Sequence, residues 1–320
     1  MLNLRLFNFS QEDYEAVASI HKIAYPDSHN TAEDFKRIDD YSPQDKYDWE
    51  RTIAEWNGRP VGYGLYVRSL WLKDPTLYTI GWLTHPDFRR RGICTAYWNH
   101  LNKEIIPERA ISGLIADVRG DVGDGAQFLE NRGFKRSMTT IESELELSAF
   151  KPEGYDSLLR KIGDRGIEFH PLSYLIANDP EHMTKLTRLA NVHRSDEPTA
   201  QEQSPITADE VKSYYMSSSD TYYPDGWFIA THNGNYVGWC AVLPNPKQPA
   251  DVSNGITVID RPYRRIGLAT AMKVHVIKHA KGMGAERIRT SNVSTNPMLA
   301  INLKLGYQPK REEFEYKKLL

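Results

Sequence analysis

Two stretches of the chain put arginines just ahead of a glycine that opens a helical pattern: HPDFRRRGICTAYWNHL at 85–101 and DRPYRRIGLATAMKVHV at 260–276. The chemistry such a segment can do is anion capture. The first backbone N–H groups of a helix lack intrahelical acceptors and carry partial positive charge along the axis. A glycine at the entry, Gly92 or Gly267, lets a bulky diphosphate approach that backbone. Arg89, Arg90 and Arg91 in the first stretch, and Arg264 and Arg265 in the second, add cationic charge, while Thr95 and Thr270 add hydroxyl donors. Neither stretch has the spacing of a P-loop or the three glycines of a dinucleotide loop. Cys94 sits at a cationic helix start, which favours a lowered thiol pKa, although a plain small-residue substitution explains it more simply. His100 and His275 fall in the helices that follow, where packing or capping is the expected role; no His-x-x-x-His or Cys-x-x-Cys spacing points to a metal.

The elements that must position these loops occur twice. At a shift of 176 residues, 31–62 and 207–238 share 11 of 32 positions, among them Thr31/Thr207, Ile53/Ile229, Asn57/Asn233, Gly58/Gly234 and Gly62/Gly238. Ordinary composition would give about two by chance. At a shift of 175, Arg89/Arg264, Arg90/Arg265, Gly92/Gly267, Thr95/Thr270, Ala96/Ala271 and His100/His275 align, and at 173 Gly133-Phe134 meets Gly306-Tyr307. A period near 170 residues is too long for a solenoid and marks domain duplication. The expected domains are 1–150 and 165–320, joined through AFKPEGYDSLLRKIGDRG, whose YDSLLRKI fits a short helix.

Each copy reads as strand, helices, three strands, helix, strand, helix and strand. Ser10 and Thr31 are N-cap candidates, and Asn57-Gly58 and Asn233-Gly234 suit hairpin turns. Gly282 is a candidate C-cap for the helix after the second loop. The basic loop in each copy lies between a strand and a helix, in a mixed α/β order.

Composition bounds the function. The 320 residues carry 40 Lys+Arg against 42 Asp+Glu, a net charge of −2, which excludes a globally basic nucleic-acid binder. Hydrophobic residues make up 40%, enough for real cores. No run of 18 apolar residues occurs, the N-terminal residues lack a signal-peptide core, and two cysteines exclude a disulfide scaffold. A cytoplasmic protein without a membrane partner is expected.

Arg264-Arg265-Ile266-Gly267-Leu268-Ala269 resembles in full the acyl-CoA loop of the GNAT N-acetyltransferase superfamily, Gln/Arg-x-x-Gly-x-Gly/Ala. Arg89-Arg90-Arg91-Gly92-Ile93-Cys94 resembles it except at Cys94. NPMLAINLKLGY at 296–307 and FLENRGF at 128–134 resemble the family's helix ending in Leu-Gly-Phe/Tyr. The resemblance covers nearly the whole chain, twice. It implies two tandem GNAT folds, each a mixed, mostly antiparallel sheet flanked by helices, and acetyl-CoA held by the loop amides. It further implies that the backbone at Ile259, and at Thr84 in the first copy, meets the thioester or the pantetheine arm. Asn296, heading its helix, belongs to the implied cofactor set.

An acetyl transfer needs a base or water path for the amine and donors for the oxyanion, and a proton for the thiolate helps. Where many relatives place a tyrosine acid, this chain has Leu129 and Asn302. Leucine gives no proton; Asn302 is a candidate for orienting cofactor or thiol. Asp251, Asn254 and Thr257 are the base candidates, reaching the amine directly or through water, with Asp251 equally readable as a loop residue. Asp196 and Glu197 stand where relatives line the substrate, or else form a solvated charge cluster, and Tyr307 reads as core. Because the second copy keeps Ala269, Asn296 and Asn302, it is the expected catalytic copy and the first the degenerate one. The expected function is acetyl transfer to a primary amine of a small molecule or peptide, by a monomer or homodimer. A non-catalytic acyl-CoA sensor and an aminoacyl-tRNA-dependent transferase are the alternatives.

Overall fold

The computed structural model describes residues 1–41, 44–68, 72–122, 124–196, 203–216 and 222–320. The chain begins with β1 (Leu2–Leu6), α1 (Gln11–Ala24), α2 (Ala32–Tyr41), α3 (Gln44–Tyr47), β2 (Trp49–Trp56), β3 (Arg59–Arg68) and β4 (Leu77–Thr84). There follow α4 (Ile93–His100), β5 (Gly113–Arg119), α5 (Gly125–Glu130) and β6 (Lys135–Glu146). The second half holds α6 (Asp156–Gly163), β7 (Glu168–Pro171), α7 (Leu172–Asn178), α8 (His182–Asp196), α9 (Ala208–Val211), β8 (Trp227–His232) and β9 (Asn235–Leu243). It ends with β10 (Asp251–Ile259), α10 (Leu268–Gly282), β11 (Arg287–Val293), α11 (Pro297–Leu305) and β12 (Gln308–Leu319).

The local signals in the sequence account for these boundaries. Ser10 caps α1 by accepting from the Asp13 N–H at 3.2 Å. Thr207 and Glu210 form a reciprocal capping box on α9. The β2–β3 and β8–β9 hairpins turn at Asn57-Gly58 (φ +51° and +79°) and Asn233-Gly234 (φ +50° and +74°), the positive dihedrals of a tight hairpin turn. The C-cap of α10 differs from the expected one. Gly282 is its last helical residue, and the left-handed position falls on Gly284 (φ +84°), whose lack of a Cβ suits it.

Two compact units emerge, and they do not follow the sequence repeats to the end. One comprises 1–138 with 313–320, the other 139–312. In the first unit β1, β2, β3, β4, β5 and the Glu313–Leu319 part of β12 lie side by side; Glu313–Leu319 runs antiparallel to Arg119–Gly113. In the second, β7, β8, β9, β10, β11 and the Thr140–Glu146 part of β6 do the same, with Glu146–Thr140 antiparallel to Arg287–Val293. Each unit's last strand is thus contributed by the other repeat.

Both units share one feature that shapes their sites. β4 and β5 are parallel, yet they pair only at Leu77↔Gly113, Tyr78↔Leu114 and Thr79↔Ile115. Beyond Thr79 and Ile115 the strands part. β10 and β11 likewise pair only at Asp251↔Arg287, Val252↔Ile288 and Ser253↔Arg289. Each unit therefore has a wedge in its sheet, with apolar cores on both faces. In the first unit, α4, the helical turn after it and α5 bury Tyr97, Leu101 and Leu129 with Ile80, Leu114 and Ala116 on one face. On the other face α1 and α2 bury Tyr14, Val17 and Phe35 with Ile53, and Ile20 and Ala24 with Leu83.

Candidate active site

In the first unit the wedge is open. A cavity of about 470 Å³ is lined by Ile80–Thr84 of β4, Ala116–Arg119 of β5, the loop from Arg89 to Thr95, and α5 residues such as Phe128. Side chains alternate across a strand. Ile80, Trp82, Ala116 and Val118 belong to the face carrying α4 and α5. Leu83 belongs to the α1 face, packed with Ile20 and Ala24. Asp117 and Arg119 alternate with Ala116 and Val118, and the Arg119 guanidinium lies 4.7 Å from the ring of Tyr25, at the end of α1. A cavity lined from both sets passes through the sheet, from the glycine loop on one face to Tyr25, Asp117 and Arg119 on the other.

The loop presents an unobstructed helix start. Gly92 is the N-cap of α4, at φ +83° with no side-chain cap bond, and a Cβ placed there would meet nothing within 4 Å. The amides of the first turn are therefore available to an external acceptor. Arg90 (φ +61°) is 81% exposed and holds a solvent-facing ion pair with Asp124 at 2.7 Å. Arg91 rests over Trp56 and Phe88, 5.5 and 5.2 Å from their ring centres. Thr95 accepts from Arg132 at 3.1 Å, and Thr84 Oγ1 lies 3.4 Å from Cys94 Sγ. Burial pushes the Cys94 thiol up, so the nearby arginines do not make it a ready nucleophile.

In the second unit the same loop faces protein. Gly267 is the N-cap of α10 at φ +91°, but a Cβ there would lie 2.7 Å from Leu158 Cδ1 of α6. Leu158 and Leu159 pack with Ile266 and Ala269 against the core that holds Leu268. Arg264 donates through Nε to the Ile259 carbonyl at 2.9 Å and also pairs with Asp196, the last residue of α8. Asp196 accepts from Arg261 at 2.7 Å too, and Arg261 first, then Arg264, holds its carboxyl below the usual range. A buried polar cluster stands where the pairing of β10 and β11 ends. Lys273 of α10, 1% exposed, donates to Asn254 Oδ1, while Asn254 Nδ2 donates to the Ala241 carbonyl at 3.0 Å. A register shift between Asn254 and Thr257 accompanies this. Burial pushes Lys273 down to about 8.

The comparisons agree with this architecture. A model of the acetyltransferase (GNAT) family matches residues 14–134 and again 188–307, well over half of the chain. The chain belongs to the GNAT acetyltransferase family. Among solved structures it is similar to a tandem GNAT protein from the clavulanic acid biosynthesis pathway, at 19% identity and a TM-score of 0.75, covering 100% of this chain and 98% of that one. It is similar to a GCN5-related N-acetyltransferase from Sphaerobacter thermophilus at 16% identity and a TM-score of 0.69, covering 99% and 95%. A third similarity, at 11% identity and a TM-score of 0.71, is to a glucosamine N-acetyltransferase region within a fungal multi-domain protein, covering 99% of this chain and 38% of that one. No curated protein sequence matches.

Within this tandem GNAT chain the motif residues separate into two groups. Thr84, Arg89, Arg90, Gly92, Ile93, Cys94 and Thr95 line the open cavity, with Arg91 beside them. Arg264, Ile266, Gly267, Leu268 and Ala269 gather around the start of α10 under α6 and beside Asp196, with Arg265 (φ +64°) repeating the backbone of Arg90 and Thr270 in the first turn. Asn296 caps α11, its Oδ1 accepting from the Met298 N–H at 2.9 Å. Asn302 is fully buried and donates to Asn292 Oδ1 at 2.5 Å. Asp251 is held by Arg287 at 2.6 Å and Arg289 at 3.4 Å, at the paired end of β10 rather than in the wedge. Thr257 Oγ1 lies 3.1 Å from Cys240 Sγ. None of these three base or orienting candidates of the second unit lines the open cavity. Asp196 is engaged by arginines, and Glu197 lies outside the described residues. His275 packs 4.2 Å from the ring centre of Phe169, where burial pushes it down to about 4. Asp117 and Tyr25 were not singled out from the sequence; a lone carboxylate in the apolar strand GLIADVR was the available signal for Asp117.

Proposed function

We propose that this GNAT chain moves an acetyl group from acetyl-CoA to a primary amine of a small molecule or peptide, and that it does so in the N-terminal unit. The observation that carries this reading is the cavity through the β4–β5 wedge, which begins at an uncapped, unobstructed helix start. Acetyl-CoA would bring the activated thioester. The amides from Gly92 to Cys94 would hold its diphosphate, with Arg89, Arg90 and Arg91 compensating charge. Beyond Thr79 the β4 backbone has no β5 partner, so groups near Thr84 are free to hold the pantetheine arm or the thioester carbonyl. Trp82 and Phe128 give this stretch apolar walls. The sequence asymmetry favoured the C-terminal copy. Its loop keeps the motif; Leu158 beside Gly267 and the pairing of Arg264 with Asp196 favour the N-terminal loop instead.

A calorimetric titration with acetyl-CoA tests the assignment. One equivalent per chain is expected. Gly92→Asp, which puts a carboxylate where the diphosphate would sit, should weaken binding at least 100-fold, whereas Gly267→Asp should leave it nearly unchanged. The reverse pattern would return the site to the C-terminal unit. A second reading, an acyl-CoA sensor without turnover, draws on Leu129, which is 1% exposed at the family's acid position and gives no proton. Tight acetyl-CoA binding with no turnover of any amine would establish it.

A further inference from the structure

We infer that Asp117 is the general base of the N-terminal site and that the acceptor is a cationic primary amine entering from the α1 face. This rests on the N-terminal reading above. Asp117 lies two residues beyond Ile115, the last β5 residue paired to β4, and lines the cavity on the face opposite α4. No ion pair or hydrogen bond to its carboxylate is found among the described residues, although an arginine is two residues away. Arg119 is taken up by Asp27 and Asp121, both at 2.8 Å, beneath the Tyr25 ring. Directly across on β12, Glu315 pairs in register with Asp117 and Glu313 with Arg119, so Asp117, Glu313 and Glu315 share one sheet face. Glu315 Oε1 accepts from Ser137 Oγ at 2.5 Å. Asp117 is exposed to the open cavity, and partial desolvation by the surrounding wall first, then the like charges of Glu315 and Glu313 beside it, push its carboxyl up to about 6. Like carboxylates side by side raise one another, and the same row attracts an ammonium ion.

The Asp117 carboxylate takes one proton from the acceptor's ammonium and later releases it to solvent. The freed nitrogen forms the new C–N bond to the acetyl carbon as the C–S bond breaks. The second nitrogen proton goes to the departing sulfur, which leaves as thiol. No separate acid is required, in keeping with Leu129.

The test uses the full chain with spermidine, glucosamine and a lysine tripeptide as acceptors, beside acetyl-CoA calorimetry. For at least one acceptor the wild type should show kcat/KM rising through an acid limb near pH 6. Asp117→Asn should lower kcat/KM at pH 7 about 100-fold and abolish that limb, with acetyl-CoA affinity unchanged within twofold. Asp117→Glu should recover part of the rate, and Glu315→Gln should move the limb to lower pH. Retention of rate and acid limb in Asp117→Asn, while Gly92→Asp still abolishes binding, overturns the base and leaves the site standing. Loss of activity through Gly267→Asp but not Gly92→Asp overturns the site and the base with it. A wild type that binds acetyl-CoA and acetylates none of the three also overturns the inference.

Discussion

At the residue scale, the two glycines show how far a motif reaches. Gly92 and Gly267 share a left-handed backbone and a helix start, and both were legible from spacing. Whether a ligand can reach them was not, because that depends on Leu158, a residue outside the motif. Cys94 is a similar case. Its cationic surroundings suggested reactivity, but desolvation outweighs them. Cys94→Ala should therefore leave acetyl-CoA affinity and turnover within about threefold, and wild-type Cys94 should alkylate slowly with iodoacetamide at pH 7. Lys273 carries a pH signature. Its charged form is disfavoured in the folded state, so the folded pKa of about 8 lies below the usual lysine range. The unfolded chain then binds more protons between about pH 8 and 10.5, and stability from this group rises across that window. The gain is of order 3 kcal/mol, from about 1.4 kcal/mol per pH unit. Relative to Lys273→Met, the wild type should gain unfolding free energy between pH 8 and 10.5, read from urea midpoints. A constant difference would mean that folded Lys273 keeps an ordinary lysine pKa.

At the element scale, YDSLLRKI was readable as a short helix, and α6 is one. Its partner was not readable, since an amphipathic helix declares an apolar face without naming what covers it. Here Leu158 lies beside Gly267, and Leu158 and Leu159 join the same core as Ile266 and Ala269. The wedge was equally hidden. Strand patterns place β4 and β5 next to each other but do not reveal that pairing stops after three residue pairs. Leu158→Ala removes the atom nearest Gly267 at a cost of about 1–2 kcal/mol for a half-buried leucine. If α6 is the obstacle, the variant should bind a second, weaker equivalent of acetyl-CoA by calorimetry. One equivalent, unchanged, would show that Asp196 and its arginines suffice to close the C-terminal loop.

At the scale of the whole molecule, self-comparison found the duplication because identities such as Asn57-Gly58/Asn233-Gly234 serve turns that each copy must make. It could not find the exchange of last strands. A strand's hydrophobic pattern fits any edge of the right polarity, and β6 and β12 carry similar alternation. The consequence is testable. Glu313–Leu319 supplies the seven-residue antiparallel register against β5, and Tyr316, 2% exposed, and Phe314 join the core beneath α4. Ending the chain at Glu312 would leave β5 with an open edge and the wedge with one unsupported wall, and would remove Glu313 and Glu315 from beside Asp117. Acetyl-CoA binding should then be lost and the β5 amides should exchange rapidly with deuterium. The β6–β11 ladder, complete from Thr140 to Glu146, should remain protected. Protection of β5 in the shortened chain would mean that the N-terminal sheet closes without its borrowed strand, and that a fragment cut at the sequence repeat could hold the site alone.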